Sequence, residues 1–438
     1  MRKELISNTQ GVSRRDFIKT SATAAAGLAA LTAGTSRIYA AGQEKIKIAL
    51  IGCGGRGNGA LKNCMDAAKH INVNLELVAT ADYFKDKAEK TGKQYGLDMQ
   101  YCFDGPSGYK KLLERDPDLV LIVTCPNFRP VHFEAVVKAG KNVFMEKPVA
   151  VDPPGVRRII AAGEMAKEKG LAVVAGTQRR HQKAYRTNQF KVAQGAIGEI
   201  KGGCVWWCGR VPFIRPRTPE QSNADYLINN WVNWTEMSGD HVVEQHVHNL
   251  DVANWFIGRH PVSGNGFGGR ARRKTGDQFD FFSVDLDYGD DLHIHSMCRQ
   301  MDGVYDRVSE LFNGSEGSTW GGSKIKTKKD IKAPEFQEFG GPYVQEHIDL
   351  LNSILAGKPL NEARTVAEST MTGILCRITS YTGELVRWSD CMEKQDSKWY
   401  NLTLKPAAGE FEMGDVQLPP EDVVAIPGKP DPRFKDIK

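Results

Sequence analysis

The pattern of apolar and polar positions changes character about midway along the chain. Between residues 46 and 175, short apolar runs predict strands, and helical stretches separate several of them. The predicted strands are 46–51, 75–79, 119–123, 143–145 and 172–175, and the predicted helices are 60–70, 131–139 and 154–169. Strands that alternate with helices form parallel β-α-β units. This half is therefore predicted to be an open, doubly wound parallel sheet.

After Gly176 the residues follow a different pattern. Segments 200–207 and 281–286 carry alternating apolar and polar positions with several aromatic residues, which is typical of half-buried strands. Helices are predicted at 249–257, 344–355 and 365–381. We expect an α/β domain with a large, mostly antiparallel open sheet and helices on one side. The residues after Asp390 are rich in proline, glycine and charge, and they are predicted to run along the surface or to serve an interface.

Composition narrows the class of protein. The 438 residues include 41% hydrophobic and 25% charged residues, and the formal net charge is +5. These are ordinary globular values, and the length favours two domains. No long basic run with interleaved aromatic residues is present, so a nucleic-acid partner is not expected. The nine cysteines include no C-x-x-C pair, which argues against a dense disulfide framework.

The first 41 residues have the features of a targeting segment. Residues 13–19 contain Arg14 and Arg15, an apolar stretch covers 22–33, and small residues stand at 40 and 41. This arrangement resembles a twin-arginine (Tat) export signal and implies a periplasmic or cell-envelope location. The apolar stretch is too short for a stable membrane span. The predicted division of the chain is a signal at 1–41, a first domain at 44–176, a second domain at 177–390 and a tail at 391–438.

A glycine-rich turn follows the first predicted strand. Gly52, Gly54 and Gly57 form a G-x-G-x-x-G pattern before a helix, and Asp82 comes after the second strand. The glycines allow a tight turn, close approach of the backbone to a pyrophosphate, and close packing of helix on strand. The carboxylate of Asp82 can accept hydrogen bonds from ribose hydroxyls and would repel a 2′-phosphate. The pattern therefore predicts a dinucleotide site that favours NAD over NADP.

Further motifs make the chain resemble the Gfo/Idh/MocA family of oxidoreductases from about Lys45 to Asp390. The motifs that carry the resemblance are Thr124-Cys125-Pro126-Asn127, His132, Ala139-Gly140-Lys141, Glu146-Lys147-Pro148, the segments 176–181 and 195–200, Glu244 to Asp251, and Gly357 to Trp388. The resemblance implies an N-terminal Rossmann domain and a C-terminal α/β domain whose open sheet often forms an oligomer interface. It also implies a homodimer or homotetramer and a nicotinamide held between the domains.

The resemblance also implies roles for individual residues. The expected catalytic residues are Lys147, Glu244 and His248, with Glu244 in place of the family's usual aspartate. The expected cofactor contacts are Gly52, Gly54, Gly55, Arg56, Gly57, Asp82, Thr124, Pro126, Asn127, His132, Glu146 and Lys147. In chemical terms, His248 would take the proton of a substrate hydroxyl while Lys147 polarises its oxygen. On one helix, Glu244 and His248 would share a face, and a structural salt bridge between them is the alternative.

Several further polar residues are candidates for substrate contact. They are Arg179, Arg180, His181, Trp231, His241 and His246. Structural ion pairs are an equally open interpretation of Arg179, Arg180 and His181. The density of histidines and acids also raises a metal site made from His241, Glu244, His246 and His248, although the spacing does not match a standard zinc signature. No metal is therefore expected.

Taken with these residues, the resemblance implies an NAD-dependent oxidoreductase that acts on a secondary hydroxyl of a sugar or sugar derivative. The cell envelope offers little free NAD, so we expect the cofactor to be loaded before export and to stay bound. Two alternatives stay open. One is a glycoside hydrolase that uses transient oxidation and elimination, and the other is a non-catalytic protein that binds sugar or NAD.

Overall fold

The computed structural model of this chain describes residues 45–421 and 423–429. The predicted export signal at 1–41 and the last nine residues of the predicted tail lie outside the described residues. None of the described helices has the length and apolar content needed to cross a bilayer.

The first sheet has six parallel strands in the order β3-β2-β1-β4-β5-β6. The strands are β1 (Ile46–Ile51), β2 (Leu75–Asp82), β3 (Cys102–Asp104), β4 (Leu119–Ile122), β5 (Asn142–Met145) and β6 (Val173–Ala175). All four residues of β4 are buried, because a parallel strand with helices on both faces is shielded on both sides. The predicted doubly wound parallel sheet is confirmed.

Five helices connect these strands. They are α1 (Gly55–His70), α2 (Lys85–Gln94), α3 (Gly108–Leu113), α4 (Arg129–Lys138) and α5 (Pro153–Glu168). The strand order reverses between β1 and β4, since β1 pairs with β2 on one side and with β4 on the other. Such a switch point leaves a crevice at the carboxyl ends of the strands, where ligands bind in open α/β sheets.

The second sheet has eight strands in the order β13-β12-β11-β7-β10-β9-β8-β14. Its strands are β7 (Ile200–Gly209), β8 (Ser263–Gly269), β9 (Phe281–Asp287), β10 (His293–Gln300), β11 (Arg307–Gly314), β12 (Gly317–Thr319), β13 (Ile325–Thr327) and β14 (Val386–Arg387). Neighbouring strands are antiparallel except for the parallel pair β7–β10. The predicted large, mostly antiparallel sheet is therefore confirmed.

Nine more α-helices occur in the described residues after β6. They are α6 (Lys183–Ala193), α7 (Asn223–Asn229), α8 (Thr235–Ser238), α9 (His241–Glu244), α10 (Val247–Ile257), α11 (Pro342–Leu355), α12 (Ala363–Thr382), α13 (Trp388–Met392) and α14 (Ala408–Met413). Helix α12 is buried along most of its length. It packs on α5 of the first sheet and on β8 and α10 of the second, so one helix joins both cores.

Parts of the chain beyond the second sheet return to the first. Helix α11 packs against α1, which carries the glycine turn at its start. The residues after Asp390 also contact the first domain: the Leu404 backbone N–H donates to Asp152, and the Asn127 side chain donates to the Pro406 carbonyl. The C-terminal third of the chain thus helps to build the surroundings of the crevice.

Candidate active site

The crevice is a cavity of about 880 Å³ at the carboxyl ends of β1, β2, β4 and β5. Its wall includes residues from the first domain and from the segment between β7 and α10. Among the lining residues named by the sequence analysis are Gly52, Gly54, Gly55, Arg56, Gly57, Asp82, Thr124, His132, Glu146, Lys147, Trp231, Glu244 and His248. Most of the predicted cofactor residues and all three predicted catalytic residues therefore share one cavity.

The glycine turn fits a dinucleotide for steric reasons. Gly52 has φ +97°, and a Cβ placed there would lie 2.6 Å from the Val123 carbonyl group. A Cβ on Gly57 would lie 1.8 Å from the Gly52 oxygen, so only glycine allows this contact between α1 and β1. A Cβ on Gly54 would meet no atom within 4 Å. Residues 54–57 line the cavity, so the start of α1, where backbone N–H groups lack partners within the helix, lies beside a space that suits the phosphates of a dinucleotide.

Asp82, at the end of β2, is tied to this turn. Its Oδ2 accepts a hydrogen bond of 2.7 Å from the Cys53 N–H, and its Oδ1 accepts one of 3.0 Å from the Phe84 N–H. Burial raises the pKa of Asp82, while the two N–H donors act in the opposite direction. A carboxylate oxygen accepts more than one hydrogen bond, so Asp82 can fix the turn and still receive a ribose hydroxyl.

Lys147 follows β5 and points to the second domain. Its Nζ lies 2.9 Å from Glu244 Oε1 and 2.7 Å from the Glu244 carbonyl oxygen. Each side chain of this ion pair is 13% exposed, so both reach the cavity from a largely buried position. An ammonium group held in this way has a fixed place beside any substrate that enters the cavity.

The expectation that Glu244 and His248 share one helix is wrong. Helix α9 ends at Glu244 and α10 begins at Val247. Between them, the His246 side chain is buried and its Nε2 lies 2.9 Å from Ser296 Oγ on β10. This contact with a distant strand accompanies the break, and spacing along the chain does not reveal it. The break still leaves both Glu244 and His248 in the cavity wall.

His248 is buried in that wall and is electrically neutral. Burial, together with the positive charges of Lys147, Arg179 and Arg56, holds the pKa of His248 well below its usual value. Its ring stacks on Trp207, with 5.6 Å between the ring centroids. A neutral imidazole has one free acceptor nitrogen, so His248 can accept a hydrogen bond from a hydroxyl group in the cavity.

A charged cluster lies between the glycine turn and Lys147. The Arg56 Nε lies 2.5 Å from Glu146 Oε1, and its Nη2 lies 3.2 Å from Glu346 Oε1 on α11. Burial and the nearby Glu146 raise the pKa of Glu346 well above its usual value. A Cβ on Gly176 would lie 2.4 Å from the Glu146 carboxylate, so glycine leaves room for this acid. Arg56 is therefore held by two domains at once.

Other predicted cofactor residues divide into two groups. Thr124 and His132 line the cavity, and Thr124 Oγ1 lies 3.2 Å from His132 Nδ1. Burial lowers the pKa of His132 to about 3, so its ring is neutral. Pro126 and Asn127 are buried outside the lining, and the Asn127 amide donates to the carbonyl of Glu236 instead. The structure thus favours a structural role for Asn127.

The predicted substrate residues in segment 179–181 form buried ion pairs outside the cavity lining. Arg179 pairs with Glu310 at 2.5 Å, and Arg180 makes a two-pronged contact with Asp251 at 2.9 Å. His181 lies 2.7 Å from Asp349 and 3.3 Å from Glu362; burial opposes its charge, but these acids raise its pKa to about 10. This placement favours the structural interpretation of all three residues.

The other candidates in the histidine-rich segment separate in space. His241 is buried against Asp240, with 2.9 Å between Nδ1 and Oδ1, and it does not line the cavity. His246 contacts Ser296 and is also outside the lining. In residues 45–421 and 423–429, no group of three or more His, Cys, Asp or Glu side chains is arranged to hold a metal ion. Trp231, the remaining candidate for substrate contact, does line the cavity.

Sequence reasoning missed several residues of the wall. Arg129 at the start of α4, Phe213 after β7 and Tyr343 on α11 all line the cavity. The Tyr343 ring lies 4.8 Å from the Arg56 guanidinium carbon. None of these positions belongs to a short motif with known spacing, so only the tertiary structure identifies them.

Comparisons with known proteins concern the family and the fold. Residues 46–177 match the Gfo/Idh/MocA family model, described as an oxidoreductase family with an NAD-binding Rossmann fold. The inositol 2-dehydrogenase of Pseudomonas savastanoi pv. phaseolicola is 27% identical over 221 residues, which are 50% of this chain and 56% of that protein. The chain thus spans about half the length of the curated relatives it matches.

Solved structures share the fold over more of the chain. An aldose-aldose oxidoreductase from Caulobacter crescentus, complexed with glycerol, aligns with 78% of this chain and all of its own at a TM-score of 0.59 and 16% identity. The WlbA dehydrogenase from Bordetella pertussis, in complex with NADH and UDP-GlcNAcA, aligns with 78% of this chain and 99% of its own, at a TM-score of 0.62 and 20% identity. Both likenesses concern the fold.

Proposed function

We propose, since residues 46–177 match the model of the Gfo/Idh/MocA oxidoreductase family with its NAD-binding Rossmann fold, that this chain is an NAD-dependent dehydrogenase. Its substrate is a secondary hydroxyl group on a sugar or a related polyhydroxylated ring. One observation carries the proposal: the Lys147–Glu244 pair and neutral His248 lie in the same cavity as the glycine turn. The names of the relatives, inositol 2-dehydrogenases among them, support the class of substrate.

The residues divide the work of an alcohol oxidation. The turn at 52–57 and Asp82 hold the dinucleotide, and bound NAD supplies the hydride acceptor. Lys147 Nζ donates a hydrogen bond to the substrate hydroxyl oxygen and stabilises negative charge on it. His248 accepts the hydroxyl proton, which its neutral ring allows. Glu244 keeps the ammonium group of Lys147 in place through the 2.9 Å contact.

The test is a spectrum of the purified chain with NAD and a panel of cyclitols, aldoses and glycosides. Absorbance from reduced nicotinamide that grows with one class of substrate supports the dehydrogenase. Release of aglycone from a glycoside without net reduced nicotinamide selects the redox-neutral hydrolase instead. A chain that binds NAD but changes the spectrum with no substrate is a binding protein, and the proposal is then rejected.

We also propose that the cofactor remains bound between turnovers. Phe213 and Trp231, from the second domain, line the same cavity as Asp82. Next to them, Lys87 Nζ lies 3.4 Å from Asn229 Oδ1, which joins α2 to α7 across the cavity edge. Such cover slows exchange of a bound dinucleotide. Mass spectrometry of the denatured, purified chain should find NAD at about one molecule per chain, and a protein free of NAD after gentle purification would contradict retention.

Export by the twin-arginine pathway and assembly into a homodimer or homotetramer are further parts of the proposal. The twin arginines support the first, and changing both Arg14 and Arg15 to lysine should leave the protein in the cytoplasm. The open face of the second sheet supports assembly, since Phe267 and Met297 on it are 64% and 37% exposed. Light scattering that reports a monomer at micromolar concentration would reject the assembly.

A further inference from the structure

The ring of His248 has an unusual support for a residue that moves a proton. Among the described residues, no group of the chain hydrogen-bonds either ring nitrogen of His248. The contact of its ring is the stack on Trp207, with 5.6 Å between centroids and 23° between planes. In many catalytic sites a hydrogen bond to the second nitrogen fixes the plane of the imidazole. In this site the His248 ring stacks on an indole, in place of a hydrogen bond to the second nitrogen.

We propose that Trp207 is a positioning residue for His248, and that the buried Arg179–Glu310 ion pair holds Trp207 in place. This inference rests on the proposed dehydrogenase function. Arg179, the first residue of segment 179–181, would then affect the reaction indirectly, although it lies outside the cavity lining. Trp207 touches no reacting atom in this scheme and acts through the ring of His248.

The strand geometry places Trp207 where this role requires it. Trp206 and Trp207 are neighbours on β7, and adjacent side chains of a strand point to opposite faces of the sheet. Trp206 lies on the open face, where Arg307 covers its ring at 3.5 Å from the centroid. Trp207 lies on the helix-covered face and packs against the main core. A flat ring fixed in a core restricts the ring that stacks on it.

One buried carboxylate links the support of Trp207 to the backbone near His248. Glu310 Oε1 accepts hydrogen bonds from Arg179 Nη1 at 2.5 Å and from Asn249 Nδ2 at 2.7 Å. Its Oε2 accepts one from the Tyr185 hydroxyl at 3.1 Å. The Arg179 guanidinium carbon lies 5.9 Å from the Trp207 ring centroid. Glu310 thus fixes both the cation beside Trp207 and the residue that follows His248.

The chain contains a matched assembly that lacks the catalytic contact. Arg180 pairs with the buried Asp251, and its guanidinium carbon lies 5.2 Å from the ring of Trp255. Trp255 is half-buried like Trp207 and packs against the same core. Its ring contacts Phe256, whose side chain is not part of the cavity wall. Loss of Trp255 therefore reports the cost of removing a similar indole without disturbing His248.

The experiment compares Trp207→Leu, Trp207→Phe and Trp255→Leu with the unchanged chain. We expect Trp207→Leu to lower kcat by about 10- to 100-fold, because a small displacement of a catalytic group has an effect of that order. KM and NAD affinity should change little. Trp207→Phe keeps a flat ring and should restore most of kcat, and Trp255→Leu should keep nearly all of it. The kcat of Glu310→Gln should lie between the kcat values of Trp207→Leu and Trp255→Leu.

A second measurement does not depend on turnover. In protein with isotope-labelled histidine, Trp207→Leu should shift the ring resonances of His248, and Trp255→Leu should leave them in place. Equal losses of kcat in the two leucine variants, or unshifted His248 resonances in Trp207→Leu, would overturn the inference while the dehydrogenase function stands. An unchanged chain that oxidises no substrate would instead reject the proposed function, and with it a positioning role for Trp207.

Discussion

The two ends of the cavity are built in different ways. The cofactor end comes from one short stretch, residues 52–57, with Asp82 from the next strand. The reaction end joins Lys147 from the first domain to Glu244 and His248 from the second. Contacts within a β-α-β unit are set by local geometry, whereas the Lys147–Glu244 pair forms only when two domains fold together. The sequence therefore predicts the cofactor end, whereas the reaction end depends on tertiary packing.

The largest expected effect tests the reaction end alone. Lys147→Met removes the ammonium group that we propose polarises the substrate oxygen, so kcat should fall by about 10²- to 10⁴-fold. NAD binding, measured by calorimetry, should stay close to that of the unchanged chain, because the turn at 52–57 is intact. Lys141→Met is the control, since Lys141 pairs with Asp116 outside the cavity lining. Equal activity in the two variants would contradict the role of Lys147.

The next effect tests the cofactor end alone. Asp82→Asn replaces an acceptor that binds two backbone N–H groups by an amide with one acceptor oxygen. Hydrogen bonds to a charged group contribute about 1.5–3 kcal/mol, so NAD binding should weaken by roughly that free energy. Asp104→Asn, at the end of the neighbouring strand β3, is the control because Asp104 is exposed and outside the lining. If the two variants change the dissociation constant for NAD equally, Asp82 is not a cofactor-binding residue.

A steric change at the cofactor end should have a similar or smaller effect. Gly57→Ala places a Cβ 1.8 Å from the Gly52 oxygen, and overpacking of this kind costs about 1–3 kcal/mol of folding free energy. In Gly59→Ala, on the same helix, the nearest atom to the Cβ is Arg56 Nη1 at 3.4 Å. Urea denaturation should show a lower midpoint for Gly57→Ala than for Gly59→Ala. Equal urea midpoints for the two variants would mean that the turn accommodates a Cβ at residue 57 without strain.

The smallest effect concerns the pH dependence of kcat/KM, which reports on the reaction end. The pKa of His248 is lowered, so its ring stays neutral and able to accept a proton as the pH falls through 6.5, the usual histidine value. Between pH 8 and pH 6, kcat/KM should therefore show no loss caused by protonation of His248. A profile of kcat/KM against pH checks this. An acid limb near pH 6.5 that disappears in His248→Asn would show that His248 titrates normally.

Much of the first domain follows from the sequence because its signals are local. The apolar runs at 46–51 and 119–123 stand where β1 and β4 form, and the glycine spacing places the turn that begins α1. The pattern did not predict β3, α2 or α3. Strand β3 has three residues and α3 has six, so neither is long enough to give a clear period.

The site departs from expectation where a side chain has a distant partner. Arg179, Arg180 and His181 are adjacent and of similar chemistry, yet their partners Glu310, Asp251 and Asp349 come from three different elements. The sequence cannot rank these pairings, because each depends on where a distant helix or strand packs. The break between Glu244 and His248 has the same origin in the contact of His246 with β10.

The position of Glu346 has a consequence for the order of events during synthesis. Arg56 leaves the ribosome early, but its partner on α11 comes almost three hundred residues later. The segment around Pro406, which accepts from Asn127, emerges later still. A nascent first domain therefore has its glycine turn before it has the groups that complete the wall. Capture of the dinucleotide in its final setting waits until nearly the whole chain has been made.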